Sequence, residues 1–573
     1  MTHSTPGINY VDRPDQIPGV LSGLEDAEFA AIDLETTSLS PRHGHIRLLS
    51  ISTEAGTWVV DAYRVELEPI LVALRSKVLI GHNLLFDLGF LMHIGFEPGP
   101  SGMRDTMLMS QLLHAGDGSR HNLAAVADRC LGIKLEKELQ KSDWSGTLTE
   151  DQIAYSARDT AVLLPLYQVL AEQIHEARMD RVMQIEHDCL PALTWMTCAG
   201  VPIDVAGWKA IADRVQSELA GITREMDEIA PPRSGAQMVL PGMDAPGWLW
   251  SSPQETLAAL RAAGIELTGT GDYELSTADH PLARLIRKHR AASKLLTSYG
   301  PGWLESVEDG RVYPHWRQIG AASGRMSCDA PAMQQIPRGE HRMCIKAIPG
   351  KALVKADYSQ IELRIAARVA DDPNMIRAYR EGQDLHILTA QLVLGKDEVS
   401  KGDRQLAKAV NFGLLYGMGP AGFRSYASAQ YGVDITLEQA VQYHSLFFER
   451  YPGLKAWHRS VRDRRDAESR TLAGRRKVFT PDTSLPVRLN TPVQGTGADG
   501  LKEALGLLWK RRSECPGAVP VIACHDEIVL ECPVEMAREA ADWLVKAMRD
   551  GMDPLIAPVE SDVEVQIGES WGG

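Results

Sequence analysis

ALVKADYSQIELR, residues 352–364, is the stretch on which the reading of this chain turns. ALVKAD is a short apolar run ending in an acid, as expected of a buried strand that delivers Asp357 at its tip. After Tyr358, Ser359 to Glu362 have the spacing of a helix capping box, so Glu362 could simply satisfy backbone donors at a helix start. Further on, VPVIAC (519–524) and EIVLEC (527–532) are two β-rich runs flanking a tight polar turn at His525, Asp526 and Glu527. Aspartate is common in turns for local reasons, and either Asp357 or Asp526 alone reads as structural.

The segment RQLAKAVNFGLLYG (404–417) tips that balance. Arg404, Lys408, Phe412 and Tyr416 recur every fourth residue, each lagging its predecessor by about 40°, so they share one face of a helix. Two cations and two aromatics suit a nucleoside triphosphate: charge for the phosphates, a flat surface for sugar and base. The alternative is an amphipathic helix whose aromatics face the core while its cations snorkel. Gly417 and Gly419 would end the helix.

A second acidic set lies near the N-terminus. EFAAIDLE (28–35), HIRLLSIST (45–53), GTWVVDA (56–62) and VLIGHN (78–83) read as successive strands, the last leading into a helix LLFDLGFLMHI (84–94). Asp33 and Glu35 are two apart on a strand and point to one face, a costly pairing unless a cation neutralises it. Asn83 and Asp87 are four apart on a helix, as are Tyr155 and Asp159. Asn83 could instead be an N-cap, and Tyr155 a half-buried aromatic with a satisfied hydroxyl. Two metals about 3.5–4 Å apart can hold both oxygens of an in-line phosphoryl displacement. Two acidic centres in one chain therefore suggest making and breaking phosphodiester bonds.

At 573 residues the chain exceeds the size of a single core, and several domains are expected. No apolar run is long enough to span a bilayer, and the polar start lacks a signal-peptide core. Eight scattered cysteines without CxxC pairs fit a reducing, cytoplasmic setting. The net charge of −15 does not exclude nucleic acid, because phosphate binding depends on local charge. Basic clusters occur at 458–466, 473–477 and 509–512, and each is equally well read as a solvated helix face. Residues 166–199 read as helical, 231–253 as irregular, and 280–300 as helical again.

In this order, DYSQIELR, the R-x3-K-x3-F-x3-Y-G pattern and HDE resemble motifs A, B and C of family A DNA polymerases. SGRMSCDAPAMQQIP (323–337), TPVQGTGADGLKEA (491–504) and AGVPID (199–204) extend the resemblance over nearly all of 190–573. It implies that Asp357, Asp526 and the Tyr358 carbonyl hold two Mg2+ ions, with Glu527 secondary. It also implies that Arg404 and Lys408 bind the triphosphate, with Lys408 a proton donor to pyrophosphate, and that Gln360 lies at the dNTP site. Phe412 would stack near the sugar and disfavour dideoxynucleotides, and Tyr416 with Glu362 would exclude ribonucleotides. Arg325, Gln334, Gln494 and His525 would contact primer or template. Gln335, Cys524 and Pro486-Val487-Arg488 depart from the usual family pattern, and none of them removes a metal ligand.

The N-terminal set resembles the DEDDy 3′–5′ exonucleases, with DxE, N-x3-D and Y-x3-D motifs on an RNase H-like fold. Asp33, Glu35, Asp87 and Asp159 would ligate two further metals, Tyr155 would orient the attacking water and Asn83 would touch DNA. DTMLMSQLL (105–113) matches a segment of the same family. Many bacterial relatives lack these acids; this chain has all four, so active proofreading is expected.

The expected fold is α/β and α+β, an RNase H-like exonuclease followed by a right-hand polymerase. The expected layout is exonuclease 1–175, helical connection 176–204, thumb and start of palm 205–340, palm 341–372, fingers 373–484 and palm 485–573. Expected partners are primer-template DNA and dNTPs, with Mg2+ at both sites, Mn2+ able to substitute, and no membrane. A monomer open to accessory replication factors is expected. The compact plan, with no 5′-nuclease domain, resembles phage replicases and suggests a phage origin. Three rivals predict otherwise: a dedicated exonuclease with a damaged polymerase half, a non-catalytic clamp, and a single-subunit RNA polymerase. The intact Asp357, Lys408 and Asp526 oppose the first, two full acidic sets oppose the second, and Glu362 with Tyr416 opposes the third.

Overall fold

The Asp33 strand lies at the centre of a mixed sheet. Its neighbours run in the order Ile8–Val11, Gly56–Asp61, Ile46–Thr53, Phe29–Thr36, Val78–Gly81, Met103–Asp105. Phe29–Thr36 pairs antiparallel with Ile46–Thr53 and parallel with Val78–Gly81. The four strands expected here are present. Two were missed, Ile8–Val11 and Met103–Asp105, because INYV and MRD are short and, unlike VLIG of Val78–Gly81, are not apolar runs. In this computed structural model residues 7–136, 139, 142–233, 247–464 and 466–573 are described. Most of the stretch expected to be irregular, 234–246, lies outside them.

The chain divides into two compact units. The first comprises Met1–Gly200, Pro314–Gln334 and Pro349–Gly568; the second comprises Val201–Tyr313, Gln335–Ile348 and Glu569–Gly573. In the first, the N-terminal sheet packs on helices through a core that includes Ile32, Leu49, Leu84, Leu88 and Leu91. The same unit holds a four-stranded antiparallel sheet, ordered Val519–Cys524, Glu527–Pro533, Lys351–Tyr358, Val563–Gly568. Lys351–Tyr358 sits inside it, which explains the apolar run: Ala352, Leu353, Val354 and Ala356 are buried.

Helix Asp180–Ala199 is buried on several faces, with Leu190 in the N-terminal core and other faces packed against helix Leu485–Lys510 and strand Val519–Cys524. The helical stretch expected over 166–199 is broken at 177–179, where Arg178 takes a left-handed conformation between two helices. The polar centre of this packing is a fully buried ionic cluster. Arg475 bonds Asp499 at 2.8 Å and also pairs with Glu186, Lys502 reaches Glu186 at 2.6 Å, and Thr471 donates to Asp499 at 2.6 Å. Two acids and two bases cancel, and each keeps hydrogen-bonded partners, the condition for tolerating buried charge.

The second unit rests on helices Val205–Ile229 and Pro281–Tyr299, which pack together. Asp204 starts the first by accepting the Gly207 N–H at 3.0 Å. Trp208 stacks on Trp303 with ring centroids 3.9 Å apart, and a separate core gathers Met226, Trp250, Leu260 and Ile286.

Candidate active sites

Asp357 and Asp526 meet because of strand register. Asp357 pairs across the sheet with Glu527, and the Tyr358 N–H donates to the Asp526 carbonyl at 3.2 Å. Asp526 lies in the turn between two strands, held tight by His525 in the left-handed region at φ 60°. Burial pushes the Asp526 carboxyl up to about 6, and the nearby Glu362 and Glu527 charges push the same way. Tyr358 is turned inward, its hydroxyl donating to the Met548 carbonyl at 2.5 Å.

The capping box that Ser359 and Glu362 could have made does not form. Helix Ile361–Val369 begins one residue later, after Gln360 in a left-handed conformation, and no side chain caps it. Glu362 is thereby released to the site. It accepts from the Tyr416 hydroxyl at 2.6 Å and from Arg325 at 3.0 Å. Tyr416 follows helix Lys401–Leu415, which stops where Gly417 turns left-handed at φ 78°. On that helix Arg404 is exposed and Lys408, Phe412 and Tyr416 are half-buried, while Ala407, Val410, Asn411 and Leu414 fill the buried side. Arg404 is thus the exposed member of the stripe, and its two aromatics are partly covered.

Two residues beside the stripe gave no sequence signal. Asp384 receives Arg404 at 2.8 Å, and buried His386 lies 5.8 Å from the Phe412 ring. Burial holds His386 down to about 4, so it is neutral, with Asn411 at 2.8 Å on Nδ1. Both precede the stripe by some twenty residues and become its neighbours only through packing.

Arg325, Gln334 and His525 line one small cleft with Ala498 and Leu501. Half-buried Gln494 lies one turn before Ala498 on the same helix. Gln334 already donates to the carbonyls of Met326 and Ala523 at 3.3 and 3.1 Å. The departure at Arg488 has a structural reading: its guanidinium lies over Phe479 and donates to the carbonyls of Thr483 and Thr480 at 3.0 and 3.2 Å. The basic clusters differ: Arg459, Arg462 and Arg464 are exposed on helix Pro452–Arg464, whereas several members of the other two are paired. Arg475 is buried in the ionic core, Arg476 donates to the Leu113 carbonyl, and Lys510 and Arg511 pair with Asp188 and Asp550.

The N-terminal acids gather on the sheet. Asp33 and Glu35 share one face of their strand, and the Leu34 N–H between them donates to Asp87 at 3.0 Å. Burial raises all four carboxyls, and mutual repulsion adds to it for Asp33 and Glu35. Asp33 is held well above its usual range, with Glu35, Asp87 and Asp159 pushing the same way. Glu35 is pushed up to about 8, Asp87 to about 7 and Asp159 to about 6. Tyr155 is buried against Asp159, and its hydroxyl eases that carboxyl back down. Asn83 does occupy the N-cap position of helix Leu84–His93, but its side chain makes no cap bond.

Among the described residues no three acidic, histidine or cysteine side chains already stand in ligating geometry. The donor chemistry still fits a hard divalent cation, since the groups are all oxygen and their shared burial is unfavourable without positive charge.

Two family models match the chain in the same order as the two acidic centres: 3′-5′ exonuclease over residues 8–175 and DNA polymerase family A over 268–573. The chain belongs to DNA polymerase family A. It is 33% identical to DNA polymerase I of Aquifex aeolicus over 98% of this chain and 99% of that one. Against DNA polymerase I of Pseudomonas aeruginosa it is 29% identical over 96% of this chain, spanning 64% of the longer relative. The thermostable DNA polymerase I of Thermus aquaticus is 32% identical over 68% of this chain and 48% of its own length. Among solved structures, the POL domain of Pol1 from M. smegmatis, in complex with DNA primer-template and dNTP, shares the fold. It superposes with a TM-score of 0.83 over 98% of this chain and 99% of that one, at 22% identity.

This polymerase thus carries an N-terminal 3′–5′ exonuclease domain and a family A polymerase domain, both of which generally use divalent metals. Its relatives named above are bacterial, and the phage origin suggested by the compact plan gains no support from them. Among the described residues no helix is long and apolar enough to cross a membrane.

Proposed function

We propose that the enzyme extends a primer 3′ end with dNTPs on a DNA template and removes misplaced nucleotides at its second site. The observation that carries this reading is the register that sets Asp357 beside the Asp526 turn, with the Arg404–Tyr416 stripe in the same unit. Asp357, Asp526 and the Tyr358 carbonyl would hold two Mg2+ ions, and Asp33, Glu35, Asp87 and Asp159 two more, with Mn2+ able to substitute. Ions so held supply positive charge to the attacking and leaving oxygens of phosphoryl transfer.

The chain's own residues do the rest. Arg404 leaves Asp384 to meet the triphosphate, and Lys408 on the same face gives a proton to the departing pyrophosphate. Phe412 supports the sugar, Gln360 lies at the nucleotide, and Glu362 pinned by Tyr416 blocks a 2′-hydroxyl. Arg325, Gln334, Gln494 and His525 contact primer and template. In the exonuclease, Tyr155 orients the attacking water and Asn83 touches DNA. By function the layout is exonuclease 1–175, connection 176–204, thumb and start of palm 205–340, palm 341–372 and 485–573, and fingers 373–484. All eight cysteines are free, which suits a reducing cytoplasm.

The test is a 5′-labelled primer-template with Mg2+, with and without the four dNTPs. Lengthening with dNTPs and shortening without them support both assignments. Failure of either reaction removes the corresponding site.

A further inference from the structure

Asp105 lies outside the four acids assigned to the exonuclease metals, yet it is buried and acts directly on their scaffold. Its carboxylate accepts four backbone N–H groups: Asn83 at 3.2 Å, Leu84 at 2.7 Å, Met107 at 2.8 Å and Leu108 at 3.1 Å. The last two are an ordinary N-cap of its own helix, Thr106–Leu113. The first two belong to another helix. Leu84–His93 starts after Asn83, which sits in the left-handed region at φ 68° and ψ 45° and leaves the cap bond unmade. Asp105 caps that helix in its place, satisfying donors that a helix start leaves open.

This has two consequences for the site. The Asn83 side chain is exempt from capping and stays exposed. The helix start is also fixed, and Asp87 on its first turn is set against the strand bearing Asp33 and Glu35 through the Leu34 N–H. Residue 105 is itself held from behind, because its N–H donates to Nε2 of buried His187 at 3.0 Å. Four donors converging on two oxygens require a carboxylate. A carboxamide of the same size offers one oxygen and turns an NH2 toward N–H donors.

We propose that Asp105 is a positioning residue of the exonuclease, setting Asn83 and Asp87 relative to Asp33 and Glu35 without touching metal or substrate. The proposal rests on the assignment of those acids to the exonuclease. It is tested in the full chain by degradation of a 5′-labelled single-stranded oligonucleotide with Mg2+, and by primer extension on the same preparations. Asp33→Ala checks the site assignment alone and should abolish degradation. Asp105→Asn should lower kcat of degradation by about ten- to a hundredfold, the cost of a shift near 1 Å, with KM moved less than about threefold and extension unchanged. Asn83→Ala added to Asp105→Asn should cost little more, since the Asn83 contact is already misplaced once Asp105 no longer sets it. His187→Leu should lower kcat several-fold and His187→Gln, which keeps an acceptor, should restore it.

Wild-type degradation by Asp105→Asn, with Asp33→Ala inactive, would overturn the proposal and leave the site assignment standing. Multiplicative effects of Asn83→Ala and Asp105→Asn would overturn it too, as would loss of extension alongside degradation. Degradation persisting in Asp33→Ala would instead remove the site assignment beneath it.

Discussion

Glu362 illustrates how a local pattern can be read correctly yet resolved by distant partners. Its spacing from Ser359 fits a capping box, but the strand runs on to Tyr358 and the helix starts after a left-handed Gln360, so the carboxylate meets Arg325 and Tyr416 instead. Replacing Glu362 with alanine should raise the ribonucleotide-to-deoxynucleotide ratio of kcat/KM by about 10–200-fold, as lost steric discrimination does. An unchanged ratio would show that Glu362 is structural after all. Asp33, Glu35, Asp87 and Asp159 were legible because strand and helix periodicities put them in pairs. Asp105 was legible only as part of a matching segment, because its bonds go to backbone groups that carry no sequence identity.

Strand Phe29–Thr36 and helix Lys401–Leu415 were readable from periodicity, whereas the packing between elements was not. Lys502 and Glu186 are 316 residues apart, and nothing local marks either as a buried charge. Lys502→Met should leave Arg475 facing two carboxylates and destabilise the chain by about 3–5 kcal/mol in chemical denaturation. A loss below 1 kcal/mol would mean the cluster relaxes or takes up water. The crossing of helices Leu485–Lys510 and Ala537–Ile556 depends on glycine in the same hidden way. A Cβ at Gly551 would meet the backbone of Ala504 at 2.7 Å and Gly500 at 2.9 Å, atoms that cannot swing aside. Gly551→Ala should therefore cost about 1–3 kcal/mol, measured as a lower denaturation midpoint at unchanged m-value.

For the molecule as a whole, a charge of −15 does not exclude nucleic-acid chemistry, because phosphate binding depends on local positive charge and Arg404, Arg459, Arg462 and Arg464 are exposed. The exonuclease acids couple stability to pH and metal. Their carboxyls are raised above unfolded values, so the stability they contribute is complete below about pH 4 and is lost as pH rises through about 6 to 8. Metal-free protein should melt lower at pH 8 than at pH 6, and Mn2+ or Mg2+ should raise Tm more at pH 8. A metal-induced shift independent of pH would contradict that coupling. The independence of the two centres is decided by one comparison: wild type, Asp357→Ala and Asp33→Ala on a 5′-labelled primer-template with Mg2+, with and without dNTPs. Asp357→Ala should lose extension and keep degradation, and Asp33→Ala the reverse; either variant losing both reactions would contradict two separate sites in one chain.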